Sequence, residues 1–185
     1  MSCSPCAFNN SHLFTSLQRP TPFEPSVYPG AGCRRICTVA RFLILGSKKK
    51  LTVLNTHLDH VSDDQRRYSA SLLLIRGRYE AAISGGPVFL MGDFNSSPSG
   101  DDSGAYRITT GKASPVQVDS KFVEKYTPEG NQHPDFTFLD TRAETPRLKV
   151  SANFATFIGW SPSVTTHWLA IDFVFGGSNR SWYVL

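Results

Sequence analysis

Long apolar runs are missing from this chain of 185 residues. No stretch of about 18 or more consecutive apolar residues occurs, so a membrane-spanning helix is not expected. The N-terminus, MSCSPCAFNNSHLF, lacks both a basic leading region and a long apolar core. A secretory signal is therefore not read there, and a cytoplasmic or nuclear location is the default. Acids are scarce early: Glu24 is the only one before Asp59. No internal repeat and no second domain are visible. Cysteine is confined to positions 3, 6, 33 and 37. Cys3-x-x-Cys6 followed by Cys33-x3-Cys37 has ligand spacing for a four-thiolate zinc site. Ser and Pro crowd the first pair, however, and Cys37 sits inside the apolar run ICTVARFLIL. A buried structural cysteine beside a loose tail is the simpler reading.

What is present suits one globular domain with a real core. Hydrophobic residues make up 40% and charged residues 18% of the chain, so disorder is not the dominant state. The net charge of +4 is a mild basic balance that tolerates a polyanionic partner without demonstrating one.

Residues 1–34 are rich in Ser, Pro, Asn and Gly, and SLQRPTPFEPSVYPGAG alone holds four prolines. They are read as an irregular arm. The pattern changes at Arg35, where residues 35–185 begin the folded domain. Ile36 to Leu45 and Leu51 to His57 are strands around a GSKKK turn, a hairpin with Lys48, Lys49 and Lys50 solvated at its tip. Ser62 followed by Gln65 matches a capping box, and Asp63 and Asp64 suit the positive end of a helix dipole. Tyr68, Leu72, Ile75, Tyr79 and Ile83 recur at helical spacing and predict one face packed on a sheet. Arg66 and Arg67, in its first turns, are assigned to a solvated face. GlyGlyPro at 85–87 stops the helix. Val88 to Met91 then reads as a strand covered on both sides. Phe136 to Leu139 and Ile171 to Phe175 are later strands. Strand, helix, strand with short connections gives an α/β layered domain. Trp160, Trp168 and Trp182 are expected in the core or an interface.

Polar residues at the ends of buried strands are where function gathers in an α/β sheet. Three strand ends carry them: Asn55, Thr56 and His57 in VLNTHLDH, Asp93 and Asn95 in FLMGDFN, and Asp172 in AIDFVFGG. Alternate strand residues point to one side, so Asp93 and Asn95 face one cleft while Phe94 turns into the core. The bland alternative is that Asp93 and Asn95 cap the SSPSG turn. Asp172, flanked by bulky apolar residues, needs a partner if it is buried.

NTHLDH, GDFNSSP and IDFVF occur in this order on successive strands. Over roughly residues 35–180 the chain thereby resembles the endonuclease/exonuclease/phosphatase family, in particular a fungal-type branch. The resemblance implies a four-layer α/β sandwich and a Mg²⁺-assisted (or Mn²⁺-assisted) in-line attack of water on a phosphoester. Nucleic acid is one candidate substrate, and the choice among DNA, RNA, lipid headgroup and sugar phosphate stays open. Carried over, Asp93 orients or deprotonates the attacking water and binds the metal. Asn95 holds a phosphate oxygen and steadies Asp93, with Asn55 beside the substrate. His57 contacts the scissile phosphate or assists the leaving group. Asp172 orients a final histidine.

Two parts of that pattern have no counterpart. No early strand carries the metal-binding glutamate, Glu24 being poorly placed in the arm, and no Ser-Asp-His follows IDFVF. The expectation is thus an incomplete sandwich and a truncated hydrolase. The alternative is a catalytically inactive fragment acting as a binding or interaction module.

Overall fold

The computed structural model describes residues 6–8, 13–16, 28–150, 154–159 and 168–179. Its frame is a seven-stranded mixed sheet, ordered β1-β3-β4-β5-β7-β6 with β2 also paired to β3. The strands are β1 Cys6–Phe8, β2 Leu13–Ser16, β3 Ile36–Ile44, β4 Lys50–His57, β5 Val88–Asp93, β6 Phe138–Asp140 and β7 Asp172–Gly177. The fold class is α/β, as expected.

Within the segment read as an irregular arm, β1 and β2 pair antiparallel with β3, Phe8 opposite Phe42 and Leu13 opposite Val39. Three or four residues are too few to show a period, and the pairing partner lies far along the chain. Lys48 turns the β3–β4 hairpin at a positive φ of 57°, and Lys48, Lys49 and Lys50 are exposed as expected.

The parallel pair β4–β5 is bridged by helix α1, Asp63–Ser84. Ser62 caps it by accepting from the Gln65 N–H at 3.2 Å, and Gly85, in the left-handed region, ends it. Only half of the capping box forms, because Asp59 Oδ1 takes the Ser62 N–H while the Gln65 amide donates to Ser69 Oγ. The helix is buried around more of its circumference than one apolar face predicts. Tyr68 and Leu72 are buried, yet so are Arg66, Arg76, Gly77 and Glu80, while Ile83 is exposed. The reason is a second layer: α2 Gly104–Thr109 packs against α1, and β6 reaches it too, a Cβ on Gly77 falling 2.4 Å from Phe138 Cζ. Two further short helices, α3 Ser120–Lys125 and α4 Thr141–Glu144, follow along the 96–150 segment.

Charge is buried inside this layer. Glu80, fully buried, accepts from Arg41 Nε and a terminal nitrogen at 2.8 Å each and from Arg76 Nε at 2.9 Å. The Arg76 guanidinium lies 4.4 Å from the centre of the Tyr126 ring, a cation–π contact in a dry site.

The sheet side toward α1 carries the buried row Val39, Leu54, Leu90 and Phe175, aligned by register. The opposite side is only half-buried, with Leu51, Val53, Phe89 and Met91 partly covered and Val174 exposed. Val88 to Met91 is therefore not covered equally on both faces. Its continuous apolar run reflects two faces that are both apolar.

Candidate active site

Topology brings the polar strand ends together. β4 and β5 run parallel, so both finish at the same edge, and β7 runs antiparallel to β5, so it starts there. His57, Asp93 and Asp172 consequently stand opposite one another in a single cross-strand row. His57 Nε2 lies 3.5 Å from Asp93 Oδ2. A glycine is required one residue earlier: Gly92 has φ +136°, and a Cβ there would lie 1.8 Å from the Thr56 carbonyl oxygen.

Asp93 is the last residue of β5, so Asn95 reaches the same cleft by leaving the strand, not by strand alternation. It adopts φ 45°, a conformation asparagine tolerates better than most residues. Its N–H donates to Asp93 Oδ1 at 2.8 Å, and its Nδ2 donates to the Leu58 carbonyl at 3.0 Å. Asn95 thus steadies Asp93 and ties the loop after β5 to the loop after β4. Phe94 is fully buried against Phe173 and Phe175, as expected. Asn55 is exposed on the same side of β4 as His57, level with Met91 and Val174. It does not line the cleft.

The cleft holds about 720 Å³ and is lined by His57, Asp93 and Asn95 together with Arg35, His60 and Arg66. Sequence reasoning missed these last three. Arg66 is 2% exposed rather than solvated. It donates to the Asp59 carbonyl at 3.1 Å and pairs with Asp63 and Asp102. Its signal was present as Asp63 three residues earlier on the helix, but the tie to Asp102 is visible only in three dimensions. Arg35 donates to His60 Nδ1 at 3.2 Å.

Behind them Asp59 is a brace. Its Oδ2 accepts the Gly32 and Cys33 N–H groups, and its Oδ1 those of Val61 and Ser62. Burial pushes its carboxyl up, but the four N–H donors outweigh this and hold it below the usual carboxylate range. Cys33, Asp59 and His60 offer ligand atoms within 4.8 Å of one another. Both Asp59 oxygens are already engaged, and the Arg35 guanidinium stands 3.8 Å away, so a cation is poorly served there. Cys37 is buried on β3, as the simpler reading of the cysteines expects, and desolvation pushes its thiol up to about 12. Cys3 and the Cys6 side chain lie outside the described residues, as do Glu24, Trp160 and Trp182.

Asp93 is shifted upward, first by burial and then by the neighbouring charge of Asp172, against the Asn95 N–H and His57. Asp172, the cross-strand partner of Asp93, does not itself line the cleft, but its charge repels that of Asp93, which a hard divalent cation would relieve, and with the Asn95 amide the two supply oxygen donors. The residues fit Mg²⁺ or Mn²⁺ in this respect.

Fold and row together define an α/β protein whose polar strand-end residues collect at one edge of a mixed sheet. The chain belongs to the Endonuclease/Exonuclease/phosphatase family, which it matches over residues 8–181. That match reaches beyond the motif-bearing stretch from residue 35, in keeping with β2 being part of the sheet. Solved structures share the fold. One is an endonuclease/exonuclease/phosphatase from Bacteroides vulgatus, 23% identical with TM-score 0.60, covering 94% of this chain and 55% of its own. Another is a mannosyl-6-phosphatase from Bacteroides thetaiotaomicron, 22% identical with TM-score 0.63, covering 94% and 53%. A third, a family protein from the same organism, is 20% identical with TM-score 0.61, covering 92% and 51%. The chain thus spans about half the length of these relatives, and at such identities the likeness is one of fold. Among curated proteins none matches the chain. Among the described residues no helix is long and apolar enough to cross a membrane.

Proposed function

We propose that this chain hydrolyses phosphoesters with the aid of a divalent cation, Mg²⁺ or Mn²⁺, using the row His57–Asp93–Asp172. The observation that carries this reading is that row: His57 and Asp93 line a cleft together with Arg35 and Arg66, and Asp172 stands in register beside Asp93. Asp93, raised toward neutrality and held by the Asn95 N–H, orients a water molecule and takes its proton as it attacks phosphorus. His57 Nε2, within reach of the same carboxylate, donates to a phosphoryl oxygen or to the leaving oxygen. Arg35 contributes positive charge toward the transition state. Asp93 and Asp172, with the Asn95 amide oxygen, would hold the cation. When bound, it supplies Lewis-acid polarisation of the phosphoryl oxygen. In place of the histidine that the family resemblance assigns to Asp172, the aspartate's cross-strand partner is Asp93.

A second reading, a non-catalytic binding module, is favoured by the half-exposed apolar side of the sheet around Val53, Met91 and Val174. One experiment separates the two. The purified chain is assayed against bis(p-nitrophenyl) phosphate and p-nitrophenyl phosphate in Mg²⁺, Mn²⁺ and EDTA, alongside Asp93→Ala and His57→Ala. Metal-dependent turnover that drops about 100-fold or more in each variant supports hydrolysis. No turnover from cooperatively folded protein overturns it in favour of the binding module.

A further inference from the structure

One wall of the cleft that holds His57 and Asp93 is a single loop, contributing Ser97, Ser99, Gly100, Asp101 and Asp102. Ser97 and Ser99 also line a second cleft, of about 860 Å³, where Trp168, expected in a core or an interface, stands 42% exposed. From residue 97 to residue 102 the loop reads SPSGDD, so it has little apolar surface with which to anchor itself. Its base is closed by the buried Ser96, whose Oγ donates to the Asp102 carbonyl at 2.6 Å and accepts the Tyr106 N–H at 3.2 Å. Its tie to the rest of the fold is ionic. Among the described residues, Asp102 alone between Ser97 and Asp102 uses its side chain in a hydrogen bond or ion pair, and its Oδ1 accepts from Arg66.

The two halves of that pair differ. The Arg66 side chain is 2% exposed and that of Asp102 75%. The same guanidinium donates to the carbonyl of Asp59 at 3.1 Å, two residues after His57, and stands 3.4 Å from Asp63. Burial holds the Asp63 carboxyl above its ordinary value, and Asp102 makes the shorter contact. A cation taken out of water needs such partners, and a planar guanidinium can serve several at once because its donors point in different directions. Packing reinforces the tie: a Cβ on Gly104 would fall 2.6 Å from Arg67 Cγ, so α2 begins hard against the first turns of α1.

We propose that Arg66 is a positioning residue: by holding the Asp59 carbonyl and the Asp102 carboxylate together, it fixes the 97–102 loop as the wall against which the substrate is placed. This rests on the phosphoester reading of His57 and Asp93. Those two are kept in place separately, by Asn95 between Asp93 and the Leu58 carbonyl. Loss of the Arg66–Asp102 tie therefore spoils substrate placement while sparing the reacting groups.

The full chain and its variants are assayed on bis(p-nitrophenyl) phosphate in Mg²⁺ and Mn²⁺, and amide exchange is followed by mass spectrometry across the loop and α2. Asp102→Ala should raise KM at least about fivefold with kcat within threefold of wild type. The sign is diagnostic, because removing an acid beside an anionic substrate would by charge alone lower KM. Asp102→Glu, which keeps the carboxylate, should return KM to within twofold. Asp64→Ala, which removes an exposed acid from the first turn of α1, should leave KM and kcat within twofold. In an Arg66→Met chain, adding Asp102→Ala should change KM by less than a further twofold, since the tie is already gone. The Ser103 and Tyr106 N–H groups, which bond to the Gly100 carbonyl and Ser96 Oγ, should exchange at least about tenfold faster in Asp102→Ala. A wild type without turnover overturns the hydrolytic reading and leaves exchange to decide the tie. Exchange unchanged within twofold, or a KM unchanged or lowered in an Asp102→Ala chain that turns over, overturns the proposal.

Discussion

Replacing Gly92 by alanine tests whether the sheet's geometry is what makes the site. The Cβ would stand 1.8 Å from the Thr56 carbonyl oxygen. Carbon and oxygen at rest need more than about 3 Å, so β4 and β5 must separate locally by well over 1 Å. The backbone at φ +136° is also one that an L side chain rarely adopts, at about 1–3 kcal/mol. Separation happens at the step Thr56–Gly92, immediately before His57–Asp93, where the two side chains are 3.5 Å apart. A displacement of about 1 Å in a reacting group can cost about 100-fold in rate. Gly92→Ala should therefore lose at least about 3 kcal/mol of stability in urea and, in the fraction still folded, at least about 100-fold in phosphoester turnover. The control is Gly85→Ala, at a helix end where a Cβ meets nothing within 4 Å. It should cost only about 1 kcal/mol from its positive φ, with turnover unchanged. A Gly92→Ala chain with the wild-type urea midpoint and a rate within threefold of wild type would refute the reasoning.

Other expectations follow from the buried charges. Glu80→Ala strands the Arg41 and Arg76 guanidinium groups beside a buried void and should cost about 3–5 kcal/mol by urea denaturation. The double change Glu80→Leu with Arg76→Met should recover much of that loss. Asp93 has its carboxyl raised in the fold by burial and by Asp172, so the folded state holds its proton more tightly than the unfolded chain. Its ionisation opposes folding: the associated stability is complete below the ordinary carboxylate range and is lost as pH rises through the folded value. Asp93→Asn should therefore unfold at higher urea than wild type at pH 7, with the gap closing toward pH 3, while abolishing turnover. Millimolar Mg²⁺ should stabilise the wild type more than Asp93→Asn, narrowing the gap at pH 7. Equal urea midpoints for the two chains at pH 7 without metal would contradict the shift.

Much of this protein is written locally. The capped helix from Ser62 to Gly85, the β3–β4 hairpin and the polar residues at the ends of β4, β5 and β7 follow from capping chemistry, turn residues and apolar runs. Each of these signals lies within a few residues of its effect. The family's motif order extends the reading to the chemistry proposed for His57 and Asp93. What sequence alone did not decide is which of these pieces meet. The opposed directions of β5 and β7 put Asp172 against Asp93, a consequence of sheet order that no local pattern encodes. Arg66 became a buried tie because Asp102, far along the chain, folds back onto it. β1 and β2 exist because β3 offers them an edge, and Trp168 lines a cleft because the 96–150 segment packs around α1. Local periodicity reports which side of an element is apolar, whereas long-range packing decides what covers that side, and at this site packing decides which residues meet.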